Sequence, residues 1–330
     1  MFAFSCNKDD DPSTGQTLSY LAAGSYGDVI VFEIDHANQT IHYTNETVPS
    51  SGTVPYTLST NPYFTGGFEI SYNNNTYYAM ELPNLMFVTT FPSGNLQNQL
   101  CFGVHYGQST TPYTMSQLAG KYLFTVLNQN SNNVVYGGYE LDAQGTINWS
   151  LGPADPSNFD ENVHFAGNAS TWSMSTTHPE RIVSSANGNN YTGIIFPGKI
   201  MLIDNGVGAG LTLGLAYPAS NITLASISGD YQYLDVTLNN EIGVGSYTIP
   251  TLIGGDVDYS CSYSGSTGTI PSGTLTNFTP MPSMKNAFTA EKLIGLNLYT
   301  AFFVVLPGDM FFQVVTGPSG VVSYGIGVKI

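Results

Sequence analysis

Charge is scarce in this 330-residue chain. Lys, Arg, Asp and Glu make up 9% of it, against about a quarter in an ordinary soluble domain. Helix surfaces are drawn from Glu, Lys, Arg and Gln, so the shortage argues against a large helical protein. Only seven residues are Lys or Arg, against 23 Asp or Glu, for a formal net charge of −16. Binding to a phosphate backbone requires several cations that neutralise phosphates, which excludes nucleic acid as a partner. The three cysteines, Cys6, Cys101 and Cys261, are too few for a disulfide scaffold. No stretch approaches the roughly 18 apolar residues of a membrane-spanning helix. Catalytic signatures are missing as well. There is no Gly-x-Ser-x-Gly elbow, no His-Glu-x-x-His, no phosphate-cradling Gly-x-x-x-x-Gly-Lys-Ser/Thr and no paired-cysteine zinc spacing.

What is present is aromatic, β-branched and turn-forming: 22 Tyr, 18 Phe, 36 Gly and 18 Pro, with hydrophobic residues at 42%. That mixture reads as many short strands around a substantial core. In the middle of the chain, period-2 patches bounded by Gly, Asn, Asp or Pro mark eight strands. They cover 122–127, 134–141, 146–150, 171–175, 182–185, 192–196, 200–204 and 211–216. Short turns such as Asp142-Ala143-Gln144-Gly145 suit antiparallel hairpins. One short helix is expected at 283–293, capped by Ser283.

The pattern recurs. Pro83, Pro197 and Pro307 each follow an apolar strand and precede a Met, at spacings of 114 and 110 residues. Closing glycines at 103, 214 and 325 are 111 and 111 apart. Gly120-Lys121-Tyr122 returns as Gly229-Asp230-Tyr231, with Ser19-Tyr20 as a shorter version, and Trp149 recurs as Tyr259 and more loosely as Tyr43. The chain therefore divides into residues 1–16, then β repeats over 17–106, 107–218 and 219–330. The expected fold class is all-β: three tandem antiparallel units of about eight strands, as small calycin-like barrels or sandwiches. The alternative is a six-bladed β-propeller, each unit supplying two blades. A membrane β-barrel is a third competitor, against which stands the ending Gly327-Val328-Lys329-Ile330 without a terminal aromatic residue.

Ser5-Cys6 followed by Asn7-Lys8-Asp9-Asp10-Asp11 resembles the processing end of a bacterial lipoprotein signal, in particular that of Bacteroidota lipoproteins. The Gly-x-Tyr strands, the Tyr-Gly-x-Tyr-x-Leu-Asp-x-x-Gly hairpin and the closing Gly strands likewise resemble exported bacterial lipoproteins built of β repeats. The resemblance implies lipidation of Cys6, an acidic tether, and attachment to the outer membrane through the lipid alone, on the cell surface. It further implies that Met1 is a late or internal start, since the basic and apolar parts of a signal do not precede Cys6. Outside the cytoplasm Cys101 and Cys261 could pair, but they belong to different repeats, and two buried thiols are the expectation.

Features shared by the repeats solve folding problems, so Tyr43, Trp149 and Tyr259 are read as core aromatics and unrepeated polar residues as site candidates. Asp35, His36 and His42 read as structural. Trp172, His178, Glu180 and Arg181, the last being the chain's single arginine, could bind an anionic or sugar ligand. Asp155, Asp160 and Glu161 in one loop, and Asp256 with Asp258 on one strand, offer hard oxygen ligands for a structural Ca²⁺. No other cofactor is expected. The resulting expectation is a non-enzymatic envelope lipoprotein, a binding module for carbohydrate or a surface polymer. The alternatives are a structural or adhesive surface protein recognising a protein partner, and a propeller-like glycan hydrolase or lyase.

Overall fold

Alternation of period two becomes strand almost everywhere it occurs. The computed structural model describes residues 17–330 except 95–96, 106–112, 129–134, 154, 179, 187, 207–208, 240, 264–272 and 295. In the first unit the strands are β1 (Thr17–Gly24), β2 (Val29–Asp35), β3 (Thr40–Asn45), β4 (Ser50–Leu58), β5 (Phe68–Tyr72), β6 (Asn75–Leu82), β7 (Met86–Pro92) and β8 (Asn98–His105). The second unit holds β9 (Gly120–Leu127), β10 (Val135–Leu141), β11 (Thr146–Leu151), β12 (Asn168–Met174), β13 (Ile182–Ala186), β14 (Asn189–Phe196), β15 (Ile200–Asp204) and β16 (Leu211–Ala216). The third holds β17 (Gly229–Thr237), β18 (Ile242–Ile249), β19 (Val257–Tyr263), β20 (Gly273–Pro280), β21 (Ala287–Ile294), β22 (Asn297–Leu306), β23 (Met310–Gly317) and β24 (Gly320–Lys329).

Each unit is a closed antiparallel barrel of eight strands in sequential order. The last strand returns to the first, as in the pairs Gly103↔Ala22, Gly214↔Phe124 and Gly327↔Tyr233. Closure within one unit rules out the propeller, whose blades would leave two separate four-stranded sheets per repeat. The helix expected over 283–293 is instead a turn over 283–286 followed by strand β21, which pairs residue by residue with β22. Phe288 and Ala290 face the barrel core while Ala287 faces the neighbouring barrels, a period of two that a short amphipathic helix mimics.

The repeated prolines occupy one structural role. Each is the second residue of a four-residue turn closed by Leu85 N–H to Leu82, Lys199 N–H to Phe196, or Asp309 N–H to Leu306 carbonyl. The third position has positive φ in all three: Asn84 at 62°, Gly198 at 67° and Gly308 at 83°. Proline at the second position and a left-handed residue at the third form a type II turn. These turns share the base of each barrel with the strand starts of β1, β9 and β17. At that end, one-turn helices α1 (Met115–Leu118) and α3 (Leu224–Ile227) lead into the second and third barrels. The hydroxyls of Tyr122 and Tyr231 donate to the carbonyls of Leu118 and Ile227, at 3.2 and 2.6 Å. The Gly-x-Tyr opening is thus the fastening of a base plug.

The closing glycine of the third unit is Gly327, two residues after the one that equal spacing indicates. Gly327 stands opposite Phe311, as Gly214 stands opposite Met201 and Gly103 opposite Phe87. The β23–β24 hairpin is longer than its counterparts and shifts register between Val315 and Thr316, which carries the equivalent position along.

The three barrels pack on one another through strands buried on both faces. Leu21, Val88 and Phe102 of the first, Leu123, Leu202 and Leu213 of the second, and Leu234, Phe312 and Ile326 of the third belong to one continuous apolar cluster. Strand β7 is buried at every position, and so reads as an unbroken apolar run where a solvated strand would alternate. Cys101 lies in this region, buried, its thiol pushed up by desolvation. The side chain of Cys261 and the lipidation candidate Cys6 lie outside the described residues.

Candidate functional site

Inward-facing residues of an eight-stranded barrel fill it or leave room for one small ligand. The base of each barrel is filled; the opposite end, the mouth, is where the barrels differ. The second barrel encloses a cavity of about 300 Å³ lined by Phe124, Tyr139, Trp149 and Tyr191, with Ser170, Ser184, Asn205 and Thr212 among them. The third encloses about 250 Å³ lined by Tyr233, Tyr247, Tyr259 and Tyr299, with Asp235, Lys292 and Gln313. Strand register places the aromatic residues of the first three strands in equivalent positions. Tyr122, Tyr139 and Trp149 form one rung across β9, β10 and β11, and Tyr231, Tyr247 and Tyr259 form the same rung across β17, β18 and β19.

The first barrel has the same rung, Tyr20, Phe32 and Tyr43. Its mouth side is filled. Phe91, whose counterparts are Asn205 and Val315, packs its ring 4.9 Å from Tyr43, 5.4 Å from Phe32 and 5.7 Å from Tyr72. Tyr72, at the ladder position of Ala186 and Lys292, is the second aromatic side chain that plugs the first barrel, whereas the other two retain space. The repeated aromatics, read from sequence as core, are core in the first barrel and cavity wall in the others.

The two cavities differ in polarity. Where the second barrel has Val126, Ala186 and Ile203, the third has Asp235, Lys292 and Gln313 at the matching ladder positions. Gln313 has no solvent exposure, and neither atom of its carboxamide has a hydrogen-bond partner among the described residues. The Tyr233 hydroxyl donates to Asp235 at 3.3 Å. The Lys292 ammonium donates to the Tyr259 hydroxyl and lies 4.5 Å from that ring's centre, a cation–π geometry. Desolvation lowers it from the ordinary lysine range.

The ligand candidates read from sequence are placed elsewhere. Trp172 is buried at the base of the second barrel, its indole N–H donating to the Asp142 carbonyl at 3.0 Å. Arg181 is buried between barrels and binds Glu46 of the first barrel with both terminal nitrogens, at 2.8 and 2.7 Å. Glu180 lies 3.4 Å from Arg181 and 3.5 Å from His178. These three form an inter-barrel clamp separate from Trp172 and from both cavities. Arg181 holds the Glu46 carboxyl below the usual carboxylate range. Replacing Arg181 with leucine should lower stability by about 1–3 kcal/mol, because a partly buried carboxylate loses its partner. Chemical denaturation should show the Arg181→Leu/Glu46→Gln double variant losing less than the sum of the single losses.

The carboxylates considered for Ca²⁺ are also apart. Asp155 caps the 3₁₀ turn Pro156–Asn158 and Asp160 caps helix α2 (Glu161–His164). Glu161 pairs with Lys285 of the third barrel at 2.8 Å and accepts from Tyr217 at 3.0 Å. Asp258 accepts from Thr274, and Asp256 precedes β19 in a different barrel from the first three. Among the described residues no three His, Cys, Asp or Glu side chains cluster in metal-binding fashion.

His36 belongs to a buried network at the base of the first barrel. Its ring lies 3.0 Å from Glu81 and 2.9 Å from the Tyr56 hydroxyl, and the Tyr20 hydroxyl donates to Glu81 at 2.5 Å. Glu81 takes the place that the Leu118 and Ile227 carbonyls take in the other barrels. His42, half-buried, contacts Thr53 at 3.1 Å.

No sequence motif marks Asp235, Lys292 or Gln313. The available signal is subtler: once the second and third repeats are aligned, these are polar residues at positions where the sister repeat carries Val126, Ala186 and Ile203.

No protein-family profile matches the chain, nor does any curated protein sequence. Among solved structures it is similar to a variant of transferrin binding protein B from Haemophilus parasuis Hp5, at 9% identity and a TM-score of 0.28, over 96% of this chain and 77% of that one. It is also similar to isotype 1 of transferrin binding protein B from serogroup B Neisseria meningitidis, at 11% identity and a TM-score of 0.28. That match spans 92% of this chain and 65% of the Neisseria protein, just under two thirds of its length. Likeness at this level carries no functional argument.

Proposed function

We propose that this chain is a non-enzymatic binding protein of the bacterial envelope, exported and lipid-anchored at Cys6, which takes its ligand in the mouths of the second and third barrels. The observation behind this reading is the pair of corresponding aromatic-walled cavities beside a sister barrel whose mouth Phe91 and Tyr72 fill. Evolution of a scaffold toward stability alone would fill all three, since empty apolar space forfeits packing contacts. In the second cavity, neutral hydroxyl and amide groups of Ser170, Ser184, Asn205 and Thr212 alternate with Trp149, Tyr139 and Tyr191. Aromatic faces with uncharged hydrogen-bonding groups suit a sugar residue of a glycan or surface polymer. Display on the cell surface follows from the Ser5-Cys6 segment and its acidic sequel.

The first barrel supplies the test. Asn205→Phe and Val315→Phe transplant the Phe91 plug into the other two mouths. Thermal unfolding of the full chain against a panel of soluble glycans should show stabilisation by a subset of them. A ligand at a hundred times its Kd adds about 2.7 kcal/mol. The plugged double variant should melt at or above the wild-type temperature and lose that stabilisation. A glycan shift of equal size in the plugged variant would move binding away from the mouths and defeat the reading.

A second reading is favoured by one observation. Leu293, Leu296 and Leu298, at the tip of the β21–β22 hairpin beside the third mouth, are 68%, 100% and 50% exposed. Three solvent-facing leucines on one hairpin form a patch suited to a protein partner. Replacing all three with serine should weaken attachment to such a partner while sparing the cavities.

A further inference from the structure

The third barrel repeats the scaffold of the second and changes its chemistry at three matching positions, so the sister barrel serves as an internal control. Asp235 is on β17 and Lys292 on β21, four strands apart in either direction around the eight-stranded ring. Their side chains line the same cavity from opposite walls, and Gln313, on β23, stands on the wall between. Four tyrosines supply much of the remaining surface, with Leu275, Val315, Val322 and Ser323. A buried carboxamide without a partner costs stability, and such a group is kept where something else satisfies it. The cavity has the volume of roughly eight water molecules at about 30 Å³ each, enough for one substituted ring.

We propose that the third-barrel cavity binds a ring-bearing carboxylate with a hydrogen-bond donor at the far end of the ring, a ligand of the phenolic-acid class. The carboxylate pairs with Lys292 at one wall. The ring lies among Tyr233, Tyr247 and Tyr259. The donor reaches the Gln313 carboxamide oxygen and Asp235 at the other wall. The inference rests on the reading that the mouths take ligands and adds the ligand class for one of them.

Three probes separate the two ends: 4-hydroxybenzoate carries both groups, benzoate lacks the donor, and 4-hydroxybenzamide lacks the charge. Titration calorimetry with the full chain at low salt should show 4-hydroxybenzoate binding at up to about 1 mM, with each of the other two about tenfold weaker. Lys292→Met should remove the preference for the acid over the amide and leave the hydroxyl preference. Gln313→Leu should shrink the hydroxyl preference and leave the charge preference. Val315→Phe should abolish all three. Because the Gln313 carboxamide makes no hydrogen bond among the described residues, Gln313→Leu should also melt no lower than wild type, whereas a structural glutamine would lose stability. The assignment is overturned if 4-hydroxybenzoate does not bind, if its preference survives in Lys292→Met, or if Val315→Phe leaves its binding intact. A neutral glycan that binds and is blocked by the plugs while 4-hydroxybenzoate fails would overturn this ligand class and leave the mouth-binding reading standing.

Discussion

Replacing Gly327 with valine should unfold the third barrel under conditions where the wild-type chain is native. A Cβ built on Gly327 falls 2.2 Å from the Phe311 ring. Phe311 has no exposure, and its ring packs 5.1 Å from Tyr231, 5.3 Å from Phe303 and 5.5 Å from Tyr247. It therefore has no free direction in which to yield. Overpacking a core costs about 1–3 kcal/mol and more when the neighbours are locked, a large share of a stability of about 5–15 kcal/mol. Gly214 is the comparison: its nearest obstacle is the Met201 methyl at 2.9 Å, the end of a flexible side chain. Circular dichroism and calorimetry should rank Gly327→Ala well below Gly214→Ala in melting temperature. Shrinking the ring with Phe311→Leu should make Gly327→Ala less harmful, with a coupling of about 0.5–3 kcal/mol. Equal melting of Gly327→Val and wild type would show that the contact is relieved in solution.

Glu81→Leu should destabilise the first barrel by about 3–5 kcal/mol, since it removes one partner from a buried hydrogen-bonded pair and strands the Tyr20 hydroxyl and His36 together. The same network should make stability depend on pH with a defined sign. The Glu81 hydrogen bond, opposed by burial, raises His36 above the ordinary histidine value. A raised folded-state value means that the charged form is favoured by folding, so the contribution is complete below about pH 6.5 and is lost as pH rises through the folded value. His105, whose ring lies 5.6 Å from Tyr20, is lowered by burial and acts in the opposite direction, losing stability as pH falls. The His36 contribution is therefore read as a difference. The gap in unfolding free energy between wild type and His36→Gln should narrow from about pH 6 to about pH 8.5, a range in which ordinary carboxylates do not titrate. A gap that stays constant or widens would rule out a charged His36 in the native network.

Much of the scaffold was legible because it depends on local chemistry. In the second unit, strands 200–204 and 211–216 coincide with their period-2 patches, and the other six differ by a few residues at their ends. The Pro-led turns were legible for the same reason: proline sets its own φ, and the residue after it must tolerate the left-handed region. The helix expected at 283–293 failed because a short apolar pattern fits both periods, and pairing with β22 decided between them. Equal glycine spacing misplaced the third closing glycine because a bulge alters register without leaving a composition signal.

The sequence by itself determined the all-β class, the threefold repetition and the base turns, since propensity and period act over a few residues or recur along the whole chain. Only the tertiary structure decided that each unit closes on itself, that Arg181 serves Glu46 across a barrel boundary, and that Trp172 fills a base. It alone placed Asp235, Lys292 and Gln313 around one cavity while Phe91 and Tyr72 filled the corresponding space in the first barrel. Those outcomes depend on which side chains meet across strands that lie far apart along the chain. Closure brings together residues such as Asp235 and Lys292, 57 positions apart, and no local pattern records that meeting.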